Sequence, residues 1–515
     1  MNPTVNSGLF ELINTLTPSE KRYIKQFINK SGDAKNNHVK LFNAIVKQEQ
    51  YDEEKLKKKF RGTSIVKQWS RVKNYLYNYI LRVLQIYYQQ DEEFELYNNI
   101  QQVAILNKKG LYEDAHRLLK KTKYLAFEGG SATLLPIIAE WEMILDNLIW
   151  YNQKEKEPLD YAENNIWATD VAQNMLLFNE RCIAVFANST KKGRHLLLEK
   201  NNLKLLNQPI YASVEEAKSP MAKWFFYVAK VVLHVQISQY LEAYFNAKGC
   251  IELHHQYPLL QKYAPLTYIT SLNNFVQATI DAKQWHEIPF LIQEVDNYIN
   301  KHKTSSKVLY LTCIKYVAML SANIGQGQFE EALLYTDAIE TFVVENEQAN
   351  DRYVKPHILL YHLVHIYLVN GRYAEALKHI EHLEGIQQVA IYTNTTRLLK
   401  LIILFEQDEV LLLPYAIRSV YRSLLKKKNL FEFERIVLNL LKTSANAASK
   451  EALKQTFSKY LEKLQKLVDT APKAELELLV HFDYLAWMKS KVENRPLLEI
   501  LKERSKELVD GYKTS

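Results

Sequence analysis

The sequence predicts an all-α protein, a solenoid of helical hairpins behind a basic N-terminal helical domain. Glycine and proline are scarce, with 13 of each in 515 residues, where average usage would supply about 36 and 26. Sandwiches, barrels and doubly wound sheets need a Gly- or Pro-bearing turn every ten residues or so, and are disfavoured. Hydrophobic residues make up 47% and charged residues 24% of the chain, a balance that supports a core and excludes wholesale disorder. Finally, one form of helix-to-helix turn returns along the chain at an even spacing.

The first ninety residues read as four helices in succession. Thr17-Pro18-Ser19-Glu20 is a capping box with Pro at the first helical position, and Tyr23, Ile24, Phe27 and Ile28 then share a face. After the Ser31-Gly32-Asp33 break, Leu41, Phe42, Ile45 and Val46 repeat that spacing. Asp52 caps a short basic helix over 53–60, and Arg61-Gly62-Thr63-Ser64 connects it to a long helix over 65–88. That helix buries Val66, Trp69, Val72, Leu76, Tyr79, Ile80 and Val83. Lys67, Arg71, Asn74, Asn78 and Arg82, three to four apart, form one polar stripe on its other side.

From about residue 95, helices follow one another with short polar links. The loosest stretches are 153–165 and 191–217. The recurring turn is strongest at Asn370-Gly371-Arg372-Tyr373-Ala374-Glu375-Ala376. Other copies are Gln326-Gly327-Gln328-Phe329-Glu330-Glu331-Ala332, Ala282-Lys283-Gln284-Trp285-His286-Glu287-Ile288 and Ile237-Ser238-Gln239-Tyr240-Leu241-Glu242-Ala243. Their second positions, 238, 283, 327 and 371, lie 45, 44 and 44 residues apart. An isolated earlier copy has Gly110, Tyr112 and Ala115. In each, the Gly or its substitute is expected to take the left-handed position that ends the first helix. The aromatic then packs into the helix pair, and the small residue lets the second helix approach closely. One such pair cannot bury its own apolar face, so stacking follows.

This turn resembles that of the tetratricopeptide repeat, matched at Gly371, Tyr373, Ala376 and at Gly110, Tyr112, Ala115, and in looser form at Gly327, Phe329, Ala332. The resemblance covers about 220–385 and 95–127. The period of 44 is longer than that family's, which longer helices would explain. It implies a concave surface, lined by first helices, that binds a segment of another protein, and it implies no chemistry. Tyr361 and His365 are the expected lining residues. Four regions follow: a basic domain over 1–90, a first helical-pair region over 91–217, the repeats over 218–390 and a C-terminal extension over 391–515.

Charge is uneven. Residues 1–90 hold 16 Lys/Arg against 7 Asp/Glu, so the whole excess of the +8 chain lies in its first sixth, which can mark a surface for an anionic partner. The short basic helix, Gly-bearing turn and striped third helix outline a helix-turn-helix unit. In that reading Lys57, Lys58, Lys59 and Arg61 touch phosphates, and Lys67, Arg71, Asn74 and Asn78 lie along the groove of a nucleic acid. A cap that closes the solenoid predicts the same pattern.

Chemistry is not signalled. There is no phosphate-binding loop, dinucleotide fingerprint, nucleophile elbow or HExxH pair. Cys182, Cys250 and Cys313 are far apart and read as small core residues. His357, His362, His365, His379 and His382 crowd one repeat, with the two helices' pairs expected to face different directions. No metal or cofactor is expected. With no leader-like N-terminus and no run of 18 uncharged apolar residues, a cytoplasmic location is expected. The function expected is a non-catalytic scaffold or adaptor with a partner segment in the groove. The alternative is a nucleic-acid-binding regulator whose solenoid acts as a sensor arm.

Overall fold

The computed structural model describes residues 5–30, 37–89, 91–153, 162–189, 196–302, 307–347, 356–385, 393–409, 411–426, 430–471 and 482–513. Helix follows helix through these residues, and no strand occurs among them. The chain divides into two units, 1–172 and 173–515, and the division falls inside one long helix, Ala162–Ser189.

In the first unit the capping box forms. The Thr17 N–H donates to Glu20 Oε2 at 2.5 Å and the Glu20 N–H donates to Thr17 Oγ1 at 3.3 Å, opening helix Pro18–Lys30. Glu20 is buried and also accepts from the Tyr88 hydroxyl. Burial raises its pKa, but the bonds from Tyr88 and Thr17 outweigh burial and leave it below the ordinary carboxylate range. Ile24, Phe42, Ile45, Ile65, Leu76 and Ile80 meet in one core.

The long helix expected over 65–88 is two helices, Ser64–Lys67 and Trp69–Tyr87, with Gln68 between them at φ −122°, ψ 35°. Thr63 supplies no side-chain cap, and the β-branched pair Ile65-Val66 lowers helix propensity in the first turn. Beyond it, Glu92–Lys108 and Tyr112–Glu128 pair across the Gly110 turn.

In the second unit the repeat turns share one backbone form. Ser238, Lys283, Gly327 and Gly371 all have positive φ, at 58°, 56°, 72° and 71°. In each, the next residue's N–H donates to the carbonyl five back: Gln239 to His234 at 2.8 Å, Gln284 to Thr279 at 2.9 Å, Gln328 to Asn323 at 2.8 Å and Arg372 to Tyr367 at 2.8 Å. This is the Schellman closure, which satisfies carbonyls the helix end would otherwise orphan. Ala243, Ala332 and Ala376 are fully buried, and Ile288 takes that place at the Trp285 turn. The same closure recurs at Asp408 and Asn494, where neither the glycine nor the aromatic is present to announce it.

These turns can be tested by exchange. An alanine at Gly371 would meet nothing within 4 Å, so Gly371→Ala is expected to cost only the left-handed penalty, about 1–2 kcal/mol. Gly327→Ala should cost more, because the new Cβ would lie 3.2 Å from the Lys502 Cα. Lys283→Gly removes the same penalty and should stabilise by up to about 1 kcal/mol after glycine's own entropy is counted. Urea midpoints of the three variants check both sign and order.

Burial is divided unequally within each helix pair. Of the first helices, Pro220–Gln236, Lys307–Gly325 and His357–Val369 have no exposed residue. Lys307–Gly325 has the length and apolar composition to cross a membrane. Here it packs against Pro265–Asp281, Ile288–Lys301 and His357–Val369, and Lys315 bonds to Asp296 at 2.7 Å. Large exposed apolar side chains concentrate on second helices: Leu241 and Phe245 on Tyr240–Gln256, and Tyr415, Tyr421 and Leu425 on Leu413–Lys426.

Candidate nucleic-acid interface

The basic surface of the first unit rests on a small buried scaffold. Asp52 Oδ1 accepts from the Lys55 N–H at 2.8 Å and starts helix Glu53–Lys59. Phe60 and Leu56 enter the core, and Gly62, at φ 83°, makes the turn into Ser64–Lys67. Lys73 then ties the short basic helix to the long one. It is only 4% exposed, and its Nζ donates to Glu53 Oε2 at 2.8 Å and to the Tyr51 hydroxyl at 3.4 Å. The same Nζ lies 5.8 Å from the Trp69 ring centre. Burial raises the Glu53 pKa, but hydrogen bonds from Lys73, Tyr51 and Lys57 outweigh it and bring the carboxyl down to about 2. Sequence reasoning gave Lys73 no role, although it sits beside Val72 and three before Leu76, on the apolar face.

With that clamp in place the expected contact residues separate into two kinds. Lys57 is half-buried and bonds to Glu53 at 3.0 Å and Glu54 at 3.1 Å; it serves the helix and is not a free phosphate ligand. Lys58, Lys59, Arg61, Lys67, Arg71, Asn74, Asn78 and Arg82 are all exposed. None of these six cations pairs with a carboxylate among the described residues. Asn78 Nδ2 donates to the Asn74 carbonyl at 3.0 Å. The break at Gln68 sets Lys67 apart from the run Arg71, Asn74, Asn78, Arg82, so the single predicted stripe is two segments. Interleaved with Asn74 and Asn78 in the second segment are Tyr75, 52% exposed with its ring 4.4 Å from His38, and Tyr77, 36% exposed. Residues 55–90 carry nine Lys/Arg and no Asp/Glu, so no carboxylate in that segment reduces the positive field there.

The partner groove does not take the predicted form. Tyr361 and His365, the expected lining residues, are 4% and 8% exposed. His365 lies between the rings of Phe329 and Phe482, at 5.8 and 5.4 Å. Their helix is packed on all sides, with Leu359, Leu360, Leu363, Val364, Ile366 and Leu368 also buried, so both are core side chains.

His379 and His382 both turn toward the preceding helix pair, meeting Glu340 and Glu347 at 3.0 Å each. His357 packs 5.8 Å from His382. Burial lowers the His379 pKa and Glu340 only partly offsets this. No group of three or more His, Cys, Asp or Glu converges in metal-holding geometry among the described residues. Burial pushes the Cys182 and Cys313 thiols up to about 12, which suits inert core residues.

A cavity of about 370 Å³ lies beside the Gly371 turn, lined in part by Tyr373, Glu406, Trp487, Lys491 and Arg495. Its charges are matched within the protein. Glu406 accepts from Trp487 Nε1 at 2.8 Å and Lys491 Nζ at 2.5 Å, and Arg495 meets Glu493, Glu499 and Glu503.

Comparison of the chain with family models, with curated proteins and with solved structures gives no match.

Proposed function

We propose that this chain is a non-catalytic helical-repeat adaptor whose N-terminal unit binds nucleic acid. The carrying observation is the set of six exposed cations, Lys58, Lys59, Arg61, Lys67, Arg71 and Arg82, none with a carboxylate partner among the described residues. Side chains that serve only solubility are as a rule interspersed with acids; these are not. The interleaved Tyr75, Tyr77, Asn74 and Asn78 add groups that stack on bases and bond to phosphates, which favours a nucleic acid over an acidic protein. The repeat unit supplies the protein-partner side, in keeping with its resemblance to tetratricopeptide repeats and with apolar side chains left on its second helices.

Phosphate contacts make a definite prediction about salt. Full-length protein titrated against labelled duplex and single-stranded DNA and RNA is expected to bind at about 1 μM near 0.1 M salt. The logarithm of affinity should fall with the logarithm of salt at a slope of about 3 to 6, near one per phosphate engaged. Absence of binding at low salt, or binding indifferent to salt, would overturn the reading.

A further inference from the structure

We propose that the outer face of helix Leu413–Lys426 docks an acidic amphipathic helix of a partner protein. Its inner face, with Leu413, Ile417, Val420 and Leu424, is buried, and the helix packs against Thr393–Glu406 and Glu432–Ser444. The other face is in solvent and is unusually apolar: Tyr415 is 69% and Leu425 55% exposed, and Leu411, in the turn just ahead of the helix, is 81% exposed. Arg418 and Arg422 are exposed between them.

The spacing identifies the shape of the occupant. On the helix, positions 415, 418, 422 and 425 follow intervals of three, four and three, which is the seam one helix presents to another lying along it, and Leu411, two residues ahead of the helix, continues it by a further interval of four. The seam is apolar at both ends and cationic at its centre. A complementary helix therefore carries apolar residues at both ends and carboxylates in the middle, over about fourteen residues or 21 Å.

Charge supports the same occupant. From 410 to 431 the chain has five Lys/Arg and no Asp/Glu. Arg418 and Arg422 meet no carboxylate among the described residues, and the Arg418 guanidinium instead stacks 4.7 Å above the Tyr415 ring. An anionic lipid surface fits poorly, because Asp408 and Glu409 are exposed just ahead of Leu411 and would be repelled from it. A nucleic acid would leave the leucines without a counterpart. This surface is distinct from the basic face of the first unit, and neither proposal depends on the other.

A charge-swap experiment on the full chain tests the proposal. The probe is a labelled helical peptide of about 14 residues, with leucines facing Leu411 and Leu425 and two glutamates facing Arg418 and Arg422. Binding on the order of 10–100 μM is expected, weakened at least tenfold in the Arg418→Glu/Arg422→Glu variant. A peptide with lysines for the glutamates should recover affinity for that variant and bind the native chain poorly. A second variant, Leu411→Ser/Tyr415→Ser/Leu425→Ser, should lose both peptides while keeping the native circular dichroism. The proposal is overturned if the two peptides bind alike, if neither binds at about 1 mM, or if the face instead retains phosphatidylglycerol vesicles or RNA.

Discussion

At pH 4.5 a His254→Phe variant is expected to exceed the native chain in stability by about 2–3 kcal/mol, whereas at pH 7 the two should agree within about 1 kcal/mol. His254 lies in the last turn of helix Tyr240–Gln256, where the helix dipole by itself would favour a cation. Burial prevails: the ring is fully enclosed, edge-on to Tyr268 at 5.1 Å, and its pKa falls to about 3. Neither ring nitrogen makes a well-formed hydrogen bond, and the Thr267 backbone compensates only weakly. Between the unfolded value near 6.5 and the folded value, the unfolded chain binds a proton that the folded chain does not. Stability from this site is therefore intact above about 6.5 and is lost steadily as pH falls, at about 1.4 kcal/mol per unit. Phenylalanine keeps the ring and its aromatic neighbours but has nothing to protonate. Urea unfolding of both proteins at the two pH values isolates the effect, since every other titrating group cancels in the double difference. An equal loss in both proteins would show that the ring escapes burial on protonation.

Reversing two charges at the candidate interface should have the largest effect on binding. Arg71→Glu/Arg82→Glu is expected to weaken nucleic-acid affinity on the order of 100-fold near 0.1 M salt and to lower the salt slope by about two. Both residues are exposed and unpaired with acids, and they stand eleven apart on one face of helix Trp69–Tyr87, about 16 Å along its axis. Neither supports the fold, so circular dichroism and thermal midpoint should be unchanged. Lys57→Glu is the informative contrast. Lys57 already serves Glu53 and Glu54, so its reversal should disturb helix Glu53–Lys59 more than it changes the salt slope. If Arg71 and Arg82 can be reversed without loss, the cations of this face are a solvated surface and the adaptor reading rests on the repeat unit alone.

Local rules carried much of the architecture in advance. The Thr17 capping box, the Asp52 cap and the left-handed turns at 238, 283, 327 and 371 were all legible, because each depends on a few neighbouring residues and a fixed hydrogen-bond pattern. Ser238 and Lys283 show that the register can be read through a missing glycine when the spacing holds. Asp408 and Asn494 mark the limit, since they adopt the same turn without the flanking signature.

What the sequence alone determined was the helical class, the repeat register and which cations lie on the polar side of the N-terminal helices. All of these follow from periodicity and short-range bonding along the chain. Which faces remain open was decided by tertiary packing. Tyr361 and His365 carry the residue types of a binding groove, but neighbouring helices close over them. Leu411, Tyr415 and Leu425 are apolar residues without a distinguishing motif and are left in water. Lys73 was drawn inward by Glu53 and Tyr51, a partnership twenty residues distant that no helical period encodes. Exposure depends on what other segments cover, and that information is not local to any stretch of the chain.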